Sequence, residues 1–159
     1  MTLIDTNILS TFAKIGRLDL LFNIFGEIEI SANVFEEIEQ AFELGYPHAS
    51  TLLKLVKNKR ISVISPDKSE IVIFSELPDS FGQGERDSIA IARERNKLLV
   101  SNDTSVVNYC NREEIDCVRL STVLRYLWKK NILSKEEVKK LIEDKDNVVI
   151  SQQDEIFRE

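Results

Sequence analysis

The sequence predicts an α/β sandwich with a mostly parallel central sheet. Short apolar runs typical of buried strands alternate along the chain with longer segments whose apolar residues recur at helical spacing. This alternation is the pattern of parallel sheets, in which a helix leads from one strand to the next. A length of 159 residues with 43% hydrophobic residues suffices for the core of one domain. We therefore expect a single domain over residues 1–147, followed by a tail or an extra strand over 148–159.

The first half of the chain contains three expected strands with helices between them. Asp5 or Thr6 can cap the first helix, and Gly16 can interrupt it. Ile28 and Ile30 alternate with polar residues, which is the pattern of a strand with one buried face. The expected elements are strands over 2–4, 27–31 and 61–64, and helices from about residue 6, over 33–44 and over 48–56.

The second half continues the same alternation. A helical stretch through Ile71 stops at Pro78, and the loop Gly82-Gln83-Gly84 opens the next helix. Asn102 or Asp103 can cap the helix that follows the fourth strand. The expected elements are helices over 85–95, 103–111, 121–130 and 134–143, and strands over 98–101 and 117–120. In such a sheet, ligand sites lie beyond the carboxyl ends of the strands.

Charge and composition exclude several classes of protein. With 21 Lys and Arg against 27 Asp and Glu, the net charge of −6 excludes a protein that coats nucleic acid nonspecifically, so any such contact must be local. Cys110 and Cys117 form no Cys-x-x-Cys pair, and the single His48 cannot complete a zinc site with them. Asp5 interrupts the apolar run that a signal peptide needs, and no run approaches the ~20 residues of a membrane helix. We therefore expect a reduced, cytoplasmic protein that contacts no membrane.

Four acidic residues, Asp5, Glu37, Asp87 and Asp103, follow strands or begin helices. Each one alone is explained by helix capping or by the favourable position of an acidic residue at a helix N-terminus. In a parallel sheet all four positions fall at one edge, and independent caps have no need to converge there. Clustered carboxylates repel one another unless a hard cation neutralises them, and oxygen ligands suit Mg²⁺ or Mn²⁺. The sequence therefore predicts a Mg²⁺ or Mn²⁺ site formed by these carboxylates.

The segments that carry the four acids form an ordered set of motifs. They are Leu3-Ile4-Asp5-Thr6-Asn7-Ile8-Leu9, Val34-x-x-Glu37-Ile38, Gly84-Glu85-x-Asp87-x-Ile89-Ala90-x-Ala92 and Leu99-Val100-Ser101-Asn102-Asp103. Over about residues 2–123 this set resembles the motifs of PIN-domain ribonucleases, including VapC-like toxins. The resemblance implies a three-layer α/β/α fold and cleavage of RNA that depends on Mg²⁺ or Mn²⁺. It also implies frequent homodimerisation and, for toxin members, inhibition by a small antitoxin protein.

The candidate catalytic and metal-binding residues are Asp5, Glu37, Asp87 and Asp103. Two positions stay open, because Glu36 adjoins Glu37 and Glu85 lies two residues before Asp87. The residues expected to orient the carboxylates or the attacking water are Thr6, Asn7, Glu85, Ser101 and Asn102. The basic residues nearest in sequence, which could hold the substrate, are Lys14, Arg17, Arg86, Arg93 and Arg95.

The expected function is that of a metal-dependent endoribonuclease, the toxin of a toxin–antitoxin pair. Its RNA substrate is expected to be single-stranded, because a recessed carboxylate site reaches the phosphates of a stacked duplex poorly. A carboxylate-dependent phosphatase would need a second Asp two residues after Asp5, where this chain has Asn7. The alternative is a catalytically silent PIN fold that serves only as an RNA- or protein-binding scaffold, and the presence of all four acids disfavours it.

Overall fold

The computed structural model describes residues 1–143 and 153–159. The strands are β1 (Thr2–Ile4), β2 (Ile28–Ser31), β3 (Ile61–Ile64), β4 (Leu98–Val100) and β5 (Cys117–Val118). The helices are α1 (Thr6–Lys14), α2 (Leu18–Phe25), α3 (Ala32–Glu43), α4 (Pro47–Lys57), α5 (Lys68–Glu76), α6 (Gln83–Arg95), α7 (Thr104–Arg112), α8 (Leu120–Lys129), α9 (Lys135–Glu143) and α10 (Gln153–Phe157). Within these ranges, no helix combines the length and apolar character needed to cross a membrane.

Both faces of the sheet are covered by helices. Successive residues of a strand point to opposite faces, so Leu3 and Ile4 of β1 enter different cores. Leu3 packs with residues of α6 and α7, whereas Ile4 packs with residues of α1, α3, α4 and α8. Leu99 and Val100 of β4 divide between the two cores in the same way, and all four side chains are fully buried. This arrangement confirms the predicted α/β sandwich with its central sheet.

The strand order places a crevice between β1 and β4. The five strands form one sheet in the order β3-β2-β1-β4-β5, and every neighbouring pair is parallel. From β1 the chain adds β2 and β3 on one side and then crosses to the other side of β1 to form β4. The crevice between β1 and β4 is therefore a topological switch point. Ile4 pairs with Val100, and the Asp5 N–H donates a hydrogen bond to the Val100 carbonyl at 3.0 Å. The residues that follow these strands, Asp5 and Ser101, therefore lie side by side.

The end of the chain forms a helix, α10, where the sequence suggested a tail or an extra strand. Ile156 of α10 is fully buried, and its carbonyl accepts a hydrogen bond from Trp128 Nε1 at 2.8 Å. Arg125 Nε donates to the carbonyl of Arg158 at 3.1 Å. These contacts hold α10 on α8, so residues 153–157 pack with the domain. Residues 148–152 of the expected segment lie outside the described residues.

Candidate metal centre and active site

A cavity of about 480 Å³ opens where β1 ends and α1 begins, and we call it the carboxylate cavity. Three acidic residues from distant parts of the sequence line it: Asp5 after β1, Glu37 on α3 and Glu85 in the first turn of α6. The polar residues of α1 that complete its wall are Thr6, Asn7, Ser10, Thr11 and Lys14. The switch point between β1 and β4 therefore carries a cavity with three carboxylates.

Asp5 is the most deeply buried of these carboxylates. The residue is 3% exposed, and within the described ranges neither of its carboxylate oxygens accepts a hydrogen bond. Burial raises the pKa of Asp5 to about 7, and the charges of Glu85 and Glu37 act in the same direction. The hydroxyls of Ser101 and Ser88 oppose this rise, although neither completes a hydrogen bond of ordinary geometry with the carboxylate. An ionised carboxylate in this position is costly unless a cation compensates it.

Glu37 faces the cavity, whereas its neighbour Glu36 is exposed to solvent. The hydroxyl of Thr6 donates a hydrogen bond to Glu37 Oε2 and so ties α3 to α1. Gly84 of α6 packs directly against this side chain, because a Cβ atom added there would collide with Glu37 Oε1 and lie 3.1 Å from Val34 Cγ2. The close approach of α6 to α3 at Gly84 therefore fixes the position of the Glu37 carboxylate.

Glu85 joins the other carboxylates through the first turn of α6. Its Oε2 accepts a hydrogen bond from the Gly82 N–H at 3.0 Å. Burial raises the pKa of Glu85, and the nearby carboxylates of Asp103 and Glu37 raise it further, while the Gly82 N–H opposes the rise. Glu85 therefore has two negatively charged neighbours, Asp103 and Glu37.

Asp87 lies outside the carboxylate cavity, unlike the sequence expectation. Two residues of an α-helix are separated by roughly 200° around its axis, so Glu85 and Asp87 cannot face the same way. Asp87 is 2% exposed, and its Oδ2 accepts a hydrogen bond from the Asn33 N–H at 3.1 Å. Burial raises the pKa of Asp87, and the polar groups of Asn33 and Ser31 oppose the rise. Asp87 thus supports the N-terminal end of α3, the helix that carries Glu37.

Asp103 has two sets of neighbours. As the N-cap of α7, its Oδ1 accepts hydrogen bonds from the Ser105 N–H at 2.8 Å and the Val106 N–H at 3.3 Å. Its carboxylate also lies close enough to Glu85 to raise the pKa of that residue. Beside it, the buried Asn102 Oδ1 accepts no hydrogen bond within the described ranges. Asp103 therefore caps α7 and also lies beside the carboxylate of Glu85.

Most of the basic residues suggested by sequence are already engaged elsewhere. Lys14 lines the carboxylate cavity. Arg95 donates two hydrogen bonds to the buried carboxylate of Glu70, and Arg86 lies 4.5 Å from the ring centroid of Phe74. Arg17 pairs with Asp19, which follows it by two residues, and Arg93 is exposed near the end of α6. Among these candidates, Lys14 is therefore the cation at the mouth of the cavity.

The donor set of the cavity fits a hard divalent cation. No group of three His, Cys, Asp or Glu side chains in the described part of the chain has the spacing of a complete metal site. The residues of the cavity nevertheless offer oxygen ligands, and both carboxylate oxygens of Asp5 are buried with no hydrogen-bond donor in residues 1–143 and 153–159. Mg²⁺ and Mn²⁺ prefer such oxygen ligands, and water molecules commonly complete the coordination of Mg²⁺. Asp5, Glu37 and Glu85 are therefore the residues that could hold the ion.

Comparison with known proteins agrees with this fold and places the chain in a family. A chain in the crystal structure of VapBC2 from Rickettsia felis bound to a DNA fragment from their promoter has the same fold, with a TM-score of 0.56. The two chains are 17% identical, and the match covers 74% of this chain and 97% of that chain. No curated protein matches the sequence. The model of the DUF3368 family, described as a PIN domain, matches residues 1–156, and the chain therefore belongs to the PIN-domain family.

Proposed function

We propose that this protein is a metal-dependent endoribonuclease that cleaves single-stranded RNA with Mg²⁺ or Mn²⁺. The observation that carries the proposal is Asp5, a buried carboxylate that has no hydrogen-bond donor among the described residues and shares a cavity with Glu37 and Glu85. Membership of the PIN-domain family supports it, since these domains are generally metal-dependent nucleases. The recessed position of Asp5 favours a single strand, whose backbone can bend into the cavity more easily than that of a duplex.

Asp5, Glu37 and Glu85 would hold the ion, with Asp103 beside Glu85 as a further carboxylate. When bound, the ion supplies positive charge that stabilises a phosphodiester under attack and makes a water molecule more acidic. Glu85 takes the place that the sequence suggested for Asp87, because it lines the cavity.

Several neighbouring residues position these carboxylates. Thr6 holds Glu37 through its hydroxyl, and Asp87 anchors the start of the helix that carries Glu37. Ser101 presents its hydroxyl toward Asp5 and accepts a hydrogen bond from the Asp103 N–H at 3.3 Å. Hydrogen bonds of this kind fix the orientation of metal-binding carboxylates, and their loss commonly lowers metal affinity.

The test is cleavage of labelled single-stranded RNA with Mn²⁺ and with EDTA. We expect strand scission with Mn²⁺ that EDTA abolishes, and strong losses in Asp5→Asn and Glu85→Gln. The matched control is Glu36→Gln, because Glu36 is an exposed acid next to Glu37 and should be dispensable. A wild-type protein that binds RNA but never cuts it in Mn²⁺ would favour the scaffold alternative. Cleavage that persists unchanged in Asp5→Asn would contradict the role of Asp5, and cleavage that survives EDTA would point to a contaminating nuclease.

The proposal extends to the partners of the protein. We assign it the role of toxin in a toxin–antitoxin pair, with a small antitoxin protein as inhibitor and a homodimer as its assembly. The ordered motifs shared with VapC-like toxins and the fold shared with a chain of the VapBC2 structure support this assignment. Expression of the chain alone should arrest growth, and co-expression of the adjacent small open reading frame should relieve the arrest. Light scattering of the purified protein would establish its assembly.

A further inference from the structure

Three depressions lie end to end along α1 and α4. The carboxylate cavity shares Lys14 with a second depression of about 390 Å³, which Tyr46, Pro47 and His48 also line. The second shares Ala13 and Thr51 with a third, of about 370 Å³, which Phe22 and Arg60 help to line. Neighbouring depressions share lining residues and therefore adjoin one another, and we call the row of three the α1–α4 groove.

The groove presents charged and aromatic groups in a fixed order. The carboxylates lie at one end, and Lys14 is exposed at the junction with the second depression. There the ring of Tyr46, a residue that is 53% exposed, lies 5.7 Å from the ring of His48 with an interplanar angle of 48°. Farther along, the Arg60 guanidinium sits 4.6 Å above the ring of Phe22. A strand leaving the carboxylates along this path meets Lys14, then aromatic rings, and then Arg60, which lines the third depression together with the carboxylate of Asp19.

We infer that the α1–α4 groove binds the RNA strand on one side of the cleaved phosphate, with Lys14 holding a backbone phosphate and the ring of Tyr46 stacking on a base. This inference rests on the proposed nuclease function. Lys14 follows Asp5 by nine residues along α1, about 14 Å at the helical rise, so its contact lies at the mouth of the carboxylate cavity rather than beside Asp5. Aromatic side chains stack on bases of any identity, and a basic groove follows the backbone, so this subsite would grip RNA with little sequence preference.

Charge favours RNA over a protein segment as the occupant of the groove. The carboxylates at its end repel phosphate, and Lys14 is the positive residue in the described lining of that cavity, so it stands where a backbone phosphate needs compensation. An apolar protein segment would instead find large exposed side chains at Phe42 and Leu44, which are 51% and 77% exposed and contribute to none of the three depressions. Because Phe42 lies outside the groove, it serves as the control residue for Tyr46.

The first test compares Tyr46→Ala with Phe42→Ala, since both variants remove an aromatic ring of similar exposure close to the α3–α4 turn. Tyr46 makes no side-chain capping hydrogen bond to α4, so its truncation leaves the helix intact. Loss of one stacked base predicts an increase of about 5- to 150-fold in the KM for a short single-stranded RNA, with kcat little changed. Tyr46→Phe should restore wild-type behaviour. Hydrolysis of bis(4-nitrophenyl) phosphate, which is too small to reach the groove, should be the same in all variants.

The second test uses salt to detect the phosphate contact of Lys14. The slope of log Kd against log salt concentration for single-stranded RNA should fall by about 0.7 in Lys14→Gln, the value for one lost phosphate contact. Lys57→Gln, which removes an exposed lysine of α4 outside the groove, should keep the wild-type slope.

Distinct outcomes separate the groove from the nuclease proposal. If wild type cleaves RNA but Tyr46→Ala and Lys14→Gln behave like their controls, the groove assignment is wrong and the nuclease stands. If wild type hydrolyses neither RNA nor the small diester in Mn²⁺, the nuclease proposal fails. The fluorescence anisotropy of labelled RNA would then still show whether Tyr46 and Lys14 bind RNA. Loss of a protein partner in Tyr46→Ala with unchanged RNA affinity would overturn the inference in favour of a protein-docking surface.

Discussion

Replacing Asp5 by Asn should stabilise the metal-free protein, and the gain should grow with pH. Burial raises the pKa of Asp5 from 3.8 to about 7 in the folded state. Between these values the folded protein keeps a proton that the unfolded chain releases, so the free energy of unfolding of the wild type falls as pH rises through this window. Above pH 7 the buried charge of Asp5 lowers the free energy of unfolding of the wild type by about 4 kcal/mol, since one pKa unit corresponds to about 1.4 kcal/mol.

The measurement is urea unfolding of wild type and Asp5→Asn in EDTA at pH 5 and pH 8. Between these two conditions the stabilisation by Asp5→Asn should increase by about 2.5 kcal/mol, because the asparagine amide carries no charge at either pH. Asp116→Asn is the matched control, since Asp116 is exposed and its substitution should change stability little at either pH. A difference between wild type and Asp5→Asn that is the same at both pH values would refute this account of the carboxylate.

Divalent metal should offset much of the stability difference between the two proteins at pH 8. An ion that binds only the folded state adds about 2.7 kcal/mol at a concentration one hundred times its Kd. Wild type should gain this stability with Mn²⁺ at pH 8, whereas Asp5→Asn should gain much less. If calorimetry detects no binding and Mn²⁺ leaves the melting temperature of the wild type unchanged, the carboxylate cavity is not a metal centre.

Three further substitutions test the packing around the site. Gly84→Ala should lower stability by about 1–3 kcal/mol and reduce RNA cleavage, because the added methyl group collides with the carboxylate of Glu37. Gly82→Ala is the control in the same urea titration and should cost less than 1 kcal/mol, because its nearest neighbour, Glu85 Oε2, lies 3.9 Å from the added Cβ. Arg95→Ala should cost about 3–5 kcal/mol by removing the cation that pairs with the fully buried carboxylate of Glu70, and an unchanged unfolding midpoint would contradict this. Trp128→Phe should remove about 1 kcal/mol with the hydrogen bond to α10, and limited proteolysis should then cut the C-terminal segment faster.

The fold could be predicted from sequence because its signals are local. Each strand is a short apolar run next to turn or capping residues, and the expected ranges match the observed strands to within a few residues. The helix α10 could not be predicted in this way. A helix of five residues has little intrinsic stability, and α10 depends on the contact of Ile156 and Trp128 with the rest of the domain.

The composition of the candidate site could be predicted only in part. Asp5 directly follows a central strand, so its position beside the crevice was expected, and its role stays a proposal. The choice between Glu85 and Asp87 depends on which face α6 turns toward α3, and tertiary contact at Gly84 decides this. Ser88, three residues after Glu85, shares its helix face and lies beside Asp5, but only the folded structure shows this contact.

The central place of β1 has a consequence for synthesis of the protein. Thr2 of β1 pairs with Ile28 on one side and with Leu98 on the other, about 96 residues later in the chain. At typical rates of translation, β1 waits roughly 5–20 s for β4 to appear, and until then one of its edges lacks a partner. Asp5 reaches its place beside Ser101 only when β4 has joined the sheet. The carboxylate cavity of a nascent chain therefore stays incomplete until the residues of β4, Leu98–Val100, have been synthesised.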